Sequence, residues 1–184
     1  ELADIRFGDT VLVVGIGPVG LMSVAAASLR GASRILAVGT RPACIRAAKG
    51  YGADEFISYE NGSIEDQVLA LTDGKGVDRA IIAGGGVNTF ASVIKCLKPG
   101  GKIGSVNYLG DGDVVAIPRM EWGVGMGHKQ INGGLMPGGR LRMEKLGALV
   151  SSGRLDVHPL TTHVLDGWEG IPRALELMKQ KPAD

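Results

Sequence analysis

Histidine and cysteine are scarce in this chain of 184 residues, and neither is spaced as metal ligands are. The three histidines, His128, His158 and His163, form no H-x-x-x-H, and the two cysteines, Cys44 and Cys96, form no C-x-x-C. No metal ligand is therefore expected among them. Both cysteines fall inside expected helices, where a small buried thiol is the reading preferred to half of a disulfide. An excess of charge is lacking too. Twenty Lys+Arg against 19 Asp+Glu leave a formal net charge of +1, which gives no footing for nucleic acid. No apolar run of membrane-spanning length and no signal peptide are visible, so a cytoplasmic protein without membrane contact is the default expectation. An initiator Met is also missing, and the opening E-L-A-D-I reads as the last turn of a helix, as if cut from something longer.

The composition that remains, 45% hydrophobic and 21% charged, suits one to one and a half compact domains with a real core. No repeat of solenoid period is present. The most informative stretch is Thr10 to Gly20, T-V-L-V-V-G-I-G-P-V-G, a β-branched apolar run that empties into glycines and then a helical pattern. Gly15 lets the strand turn sharply, Gly17 lets backbone approach a pyrophosphate, and Gly20 lets the helix lie close on the sheet. Pro18 stands where a first-turn proline is tolerated. Apolar residues from Val19 to Leu29 follow at helical spacing until Gly31, and a second strand is expected at Arg34 to Val38. Strand, glycine turn, helix and strand thus complete a dinucleotide-binding unit within about thirty residues. The turn Gly15, Ile16, Gly17, Pro18, Val19 and Gly20 is assigned to the cofactor. A methyltransferase loop or an incidental turn is the alternative.

A further absence says which dinucleotide. Enzymes using NAD place an Asp or Glu about 20 residues past the glycines to bind the ribose 2′-hydroxyl. Here the place reads Gly39, Thr40, Arg41, Pro42, with no carboxylate and with space expected over Gly39. A 2′-phosphate would repel an acid but would pair with the Arg41 guanidinium and a Thr40 hydroxyl, so NADP(H) is the expected cofactor. The alternative is that Arg41 is a solvated charge opening the next helix.

Strand and helix signals continue to alternate, as in an α/β, doubly wound, mostly parallel Rossmann sheet with helices on both faces. Helices are expected at Pro42 to Tyr51, Ser63 to Thr72 and Asn88 to Leu97; strands at Ala53 to Ile57, Val77 to Ala83 and Lys102 to Val106, the last entered through a turn at Lys98 to Gly101. Beyond Met136, helices are expected at Gly139 to Gly153 and Trp168 to Lys179, with a strand at Thr161 to Leu165. Ligands on such sheets lie past the carboxyl ends of strands, which selects Ala83 and Gly84 with the glycines that follow, and Asn107 with Tyr108. The glycines would admit a ring or a sugar, although a flexible loop explains them nearly as well. Asn107 would donate to a ribose hydroxyl or a carboxamide, or stand as a water-satisfied loop amide.

The runs G-I-G-P-V-G-L-M, A-V-G-T-R-P, I-I-A-G-G, V-N-Y-L-G, E-W-G-V-G-M-G-H-K and G-G-L-M-P-G-G-R-L-R-M-E resemble the NADP-dependent secondary alcohol dehydrogenases of the zinc-containing medium-chain dehydrogenase/reductase family. The resemblance spans the whole chain. It implies that Gly39, Thr40 (commonly Ser there), Arg41 and Tyr59 hold the 2′-phosphate, with Lys181 near it. It implies that Tyr108, Leu135 and Met136 face a small secondary alcohol or ketone; Met136 departs from the Cys expected there. The glycine-rich Gly123 to Gly139 would join subunits of a homo-oligomer, a tetramer by resemblance.

The same resemblance divides the chain into an NADP-binding domain, residues 1–136, and a segment, 137–184, that packs with an N-terminal catalytic domain not in this chain. Zinc and the catalytic residues would belong to that domain, so the expectation is a chain that binds NADP(H) without turnover, from an enzyme oxidising secondary alcohols to ketones. A zinc-free quinone or enoyl reductase and a non-catalytic NADPH-sensing module are the other readings. A methyltransferase would want an acid at the end of the second strand.

Overall fold

The computed structural model describes residues 1–109, 112–135 and 137–180. They divide into two compact units, the first of Glu1–Thr40 and Cys44–Pro137, the second of Arg41–Ala43 and the residues from Gly138 onward.

In the first unit, β1 (Thr10–Val14), β2 (Arg34–Val38), β3 (Glu55–Ile57), β4 (Val77–Ile82), β5 (Leu97–Ser105) and β6 (Gln130–Gly133) form one sheet in the order β3-β2-β1-β4-β5-β6. Every pair is parallel. Parallel strands need crossovers, supplied here by α1 (Pro18–Leu29), α2 (Pro42–Gly50), α3 (Ile64–Leu71) and α4 (Thr89–Cys96). From β1 the chain steps one way to β2 and β3, then returns to β4 and steps the other way to β5. Crossovers of one hand therefore place α1 and α4 on opposite faces.

Side chains follow that division because successive strand residues point to alternate faces. Leu12, Val14, Leu36, Val38, Ala80, Ile82 and Ile103 cluster with Val68 of α3 and with Phe90, Val93 and Ile94 of α4. Val11, Val13, Ile35 and Ala37 alternate with them and are equally buried, as are Leu21, Val24, Ala25 and Ala27 of α1. A doubly wound α/β sheet is the observed fold.

The opening segment is a turn, Asp4 N–H donating to the Glu1 carbonyl at 2.9 Å, with Asp4 at φ +49°. It lies against β5: a Cβ on Gly104 would stand 2.6 Å from the Ala3 nitrogen. Asn132 donates to the Leu2 carbonyl at 2.9 Å, and Lys102 pairs with Asp4 at 2.9 Å.

Three elements differ from expectation. The Lys98 to Gly101 turn lies inside a longer β5, which begins at Leu97 and shifts register against β4 between Val77 and Arg79. Gly100 at φ +76° absorbs the irregularity and donates to the Gly127 carbonyl at 2.8 Å. A sixth strand, β6, was not expected: only four residues long, it gives periodicity little to register. Thr161 to Leu165 forms no strand. Thr161 is extended, at φ −93° and ψ 105°, but no described strand pairs with this segment, and β-rich composition without a ladder yields only irregular backbone.

The second unit holds α5 (Arg140–Ser151) and α6 (Gly170–Gln180), neither with a buried residue. Leu141, Met143, Leu146 and Val150 of α5, and Ile171, Leu175 and Met178 of α6, are all exposed.

Candidate functional site

The site lies at the carboxyl ends of β1, β2, β4 and β5, around the reversal of strand order between β1 and β4, where open α/β sheets bind ligands. Gly15 leaves β1 at φ +88°, its N–H donating to the Val38 carbonyl at 3.1 Å. A Cβ on Gly15 would lie 2.8 Å from the Gly84 Cα, so two backbones touch across β1 and β4; Gly15 has no room for a side chain, and a Cβ on Gly84 would be tight, 3.3 Å from the Gly15 Cα. Gly17 ends the turn as the N-cap of α1, and Pro18 opens the helix. No side chain caps α1 and its first turn has no acid, so the helix itself sets no anion against its donor end, as suits an anion site. A Cβ on Gly20 would stand 1.8 Å from the Gly15 carbonyl oxygen, which makes glycine obligatory there.

At the end of β2, Gly39 donates to the Ile57 carbonyl at 3.1 Å, continuing the ladder. The space expected over Gly39 is filled. A Cβ there would come within 2.3 Å of Cγ1 of Ile16, itself buried. The Thr40 hydroxyl and the Tyr59 hydroxyl are 3.0 Å apart and share a hydrogen bond in which either could donate. Tyr59 opens a 3₁₀ turn, Tyr59–Asn61, and is 59% exposed. Arg41, next in the chain after Thr40, is exposed and pairs with no carboxylate among the described residues. The end of β2 thus offers two hydroxyls and, next in the chain, a guanidinium, which are donors of the kind a phosphate accepts from.

On the β4 and β5 side, Ala83 donates to the Val14 carbonyl at 2.8 Å, carrying the sheet one residue past β4. Gly85 is at φ +98°, and the Asn107 amide donates to its carbonyl at 2.8 Å. Asn107 thus spends one donor bracing the Gly84–Gly86 loop. Tyr108 and Leu135 are 90% and 96% exposed, so the described residues form no apolar pocket around them. Met136 and Lys181 lie outside the described residues. Val19 and Pro18 are exposed on the first turn of α1.

Cys96 is buried, its thiol donating to the Ser92 carbonyl at 3.2 Å, while Cys44 is half-buried; both are free thiols. Among the described residues no three His, Cys, Asp or Glu stand close enough to hold a metal. Among the described residues no helix is long and apolar enough to cross a membrane.

Two contributors escape sequence reading. Ile16 was assigned through the glycine turn, but its occupation of the Gly39 space depends on how β1 and β2 meet. Gln67 of α3 donates to the Ser58 carbonyl at 2.8 Å, beside Tyr59, and nothing in its sequence context announces that contact.

Known proteins share these features. The zinc-binding dehydrogenase family profile matches residues 18–152. Over all 184 residues the chain is 61% identical to an NADP-dependent isopropanol dehydrogenase of Entamoeba histolytica and covers 50% of that protein. It is 59% identical to the NADP-dependent isopropanol dehydrogenase of Thermoanaerobacter brockii, again over the whole chain, covering 52% of it. Among solved structures, alcohol dehydrogenase TADH from Thermus sp. ATN1 superposes on 97% of this chain and 50% of its own, with TM-score 0.82 and 31% identity. The chain spans about half the length of the curated relatives it matches.

Proposed function

The chain belongs to the zinc-binding dehydrogenase family, and from that membership we propose that it is the NADP(H)-binding half of a secondary alcohol dehydrogenase. The observation that carries the cofactor assignment is the end of β2, where the Thr40–Tyr59 hydroxyl pair and Arg41 stand in place of a carboxylate. The relatives named for NADP and isopropanol, at 61% and 59% identity, support the same reading.

The residues present fit the dinucleotide. The Gly15–Gly84 contact leaves a surface clear of side chains. The uncapped start of α1 offers the N–H groups of Gly17 and Val19 to the pyrophosphate, with Pro18, which has no N–H, in the turn between them. Thr40, Arg41 and Tyr59 take the 2′-phosphate, and Lys181, outside the described residues, is assigned to it by family resemblance alone. Ala83, Gly84, Asn107 and Tyr108 line the nicotinamide end.

When bound, the cofactor would supply hydride exchange, and zinc, for which this chain offers no ligand set among the described residues, would supply Lewis-acid chemistry. This chain's share is to fix the nicotinamide's face and distance, which is where positioning lowers a barrier. The substrate is a small secondary alcohol or ketone, faced by Tyr108, Leu135 and Met136. Residues 1–136 are the cofactor domain, and 137–184, with their exposed apolar helices, pack against the catalytic half. The whole enzyme is cytoplasmic and a homo-oligomer, a tetramer by family resemblance.

The test is a pair of dissociation constants for this chain, NADPH against NADH, read from the fluorescence of the reduced nicotinamide. A charge-assisted phosphate contact predicts NADPH tighter by about tenfold or more. Equal affinities would overturn the reading.

A further inference from the structure

A side-chain amide of α3 holds the turn on which Tyr59 stands. Gln67 Nε2 is 2.8 Å from the Ser58 carbonyl, 3.3 Å from that of Gly62 and 3.2 Å from that of Ser63. One amide NH₂ thus divides its two donors among three backbone oxygens. Those oxygens bracket the Tyr59–Asn61 turn: Ser58 immediately precedes it and Gly62 immediately follows.

Other bonds close the same turn from within it, whereas Gln67 ties it to the body of a helix. The Ser58 hydroxyl accepts from Glu60 N–H at 3.1 Å, and Asn61 N–H donates to the Ser58 carbonyl at 3.1 Å. Gly62, at φ +115°, then turns the chain into α3, whose N-cap Ser63 accepts from Asp66 N–H at 3.1 Å.

Tyr59 itself is more than half exposed, so apolar contacts do little to fix its ring. The place of its hydroxyl, 3.0 Å from the Thr40 Oγ1, is set by the backbone beneath it. We propose that Gln67 is a positioning residue for 2′-phosphate discrimination: it clamps the Tyr59 turn so that the Tyr59 and Thr40 hydroxyls meet. This rests on the reading that the phosphate lies at Thr40, Arg41 and Tyr59. The Gln67 amide is spent on the backbone of the turn, so it acts through Tyr59.

The experiment measures dissociation constants of NADPH and NADH for the chain carrying Gln67→Met, which removes the donors without adding charge, and for Gln67→Glu. Both substitutions should weaken NADPH by about threefold to tenfold, the worth of one ordinary hydrogen bond, while NADH changes less than about twofold. In a Tyr59→Phe background, Gln67→Met should add no further loss, because a residue acting through another is not additive with it. A fall in both cofactors together would mean that Gln67 only stabilises α3. Loss with Gln67→Glu but not with Gln67→Met would reduce the effect to charge. Either result, or a full additional loss beside Tyr59→Phe, overturns the proposal. An unmodified chain with no preference for NADPH would instead remove the phosphate reading beneath it.

Discussion

Ile16 occupies the volume that a side chain at Gly39 would need: its Cγ1 lies 2.3 Å, and its Cδ1 2.9 Å, from where a Cβ on Gly39 would be. The two residues come from the glycine turn after β1 and from the end of β2. An acid at position 39 is therefore opposed by shape as well as by charge. Gly39→Ala should destabilise the chain by about 1–3 kcal/mol, the usual cost of overpacking beside a stiff β-branched neighbour. In an Ile16→Ala background the added cost should shrink to a few tenths, measured as a double-mutant cycle in urea. Additive losses would show that the two side chains do not compete.

Arg41→Ala should weaken NADPH by roughly 1.5–3 kcal/mol, one charge-assisted contact, and leave NADH unchanged. Tyr59→Phe should cost about 0.5–1.5 kcal/mol against NADPH alone. Equal losses for both cofactors on Arg41→Ala would mean that the guanidinium only shapes the start of α2. The check is the same pair of fluorescence titrations.

Asn107→Asp should act at the other end of the cofactor. The substitution replaces the donor that meets the Gly85 carbonyl at 2.8 Å with an acceptor, so the Gly84–Gly86 loop loses its brace. NADPH and NADH should then weaken by the same factor, about threefold to tenfold, while adenosine 2′,5′-bisphosphate, which has no nicotinamide, binds as before. A selective loss of the bisphosphate would contradict this division of the site.

Acid should loosen the sheet through Asp78. Burial pushes its carboxyl up, but Thr10 N–H at 2.9 Å and the Lys98 ammonium at 2.9 Å outweigh that and hold it below its ordinary value. Its contribution is therefore present above the ordinary carboxylate pKa and is lost as pH falls through the lowered folded value. Asp78→Asn should be less stable than the unmodified chain at pH 7 by about 1–2 kcal/mol, and the gap should close as pH falls from neutrality through that lowered value. A gap that stays constant across that range would remove ionisation as its cause.

Cys96 should be chemically silent in the folded chain. Burial pushes its thiol up to about 12, and Glu65 adds to the effect. Since the thiolate is the reacting form, iodoacetamide at pH 8 should label half-buried Cys44 and reach Cys96 only on unfolding. The neutral thiol favours the fold, so its contribution is lost as pH rises from the ordinary thiol range toward that raised value. Peptide mapping after timed labelling reads the outcome, and equal labelling of both thiols in native buffer would refute it.

Much of the fold was legible because its cues are local. Residues Thr10 to Leu29 announce strand, turn and helix through β-branching, glycine and helical spacing, and each of these acts within a few residues along the chain. Thr161 to Leu165 carries the same β-branched cue and forms no strand, because a strand also needs a neighbour. The four residues of β6 show the converse: too short to declare themselves, they are strand because β5 lies alongside, with Ile103 opposite Ile131.

By itself the sequence determined the order of strands and helices from β1 to β5, the glycine turn and the absence of an acid after β2. Those are properties of single residues and of their spacing, set by sterics and charge that no fold alters. Only the tertiary structure decided that Ile16 fills the Gly39 space, that Tyr59 reaches Thr40, and that Gln67 holds the turn beneath it. Each of these needs segments brought together by parallel crossovers or by a turn folded back on its helix, and hydrogen bonds form where atoms meet, whatever their distance along the chain.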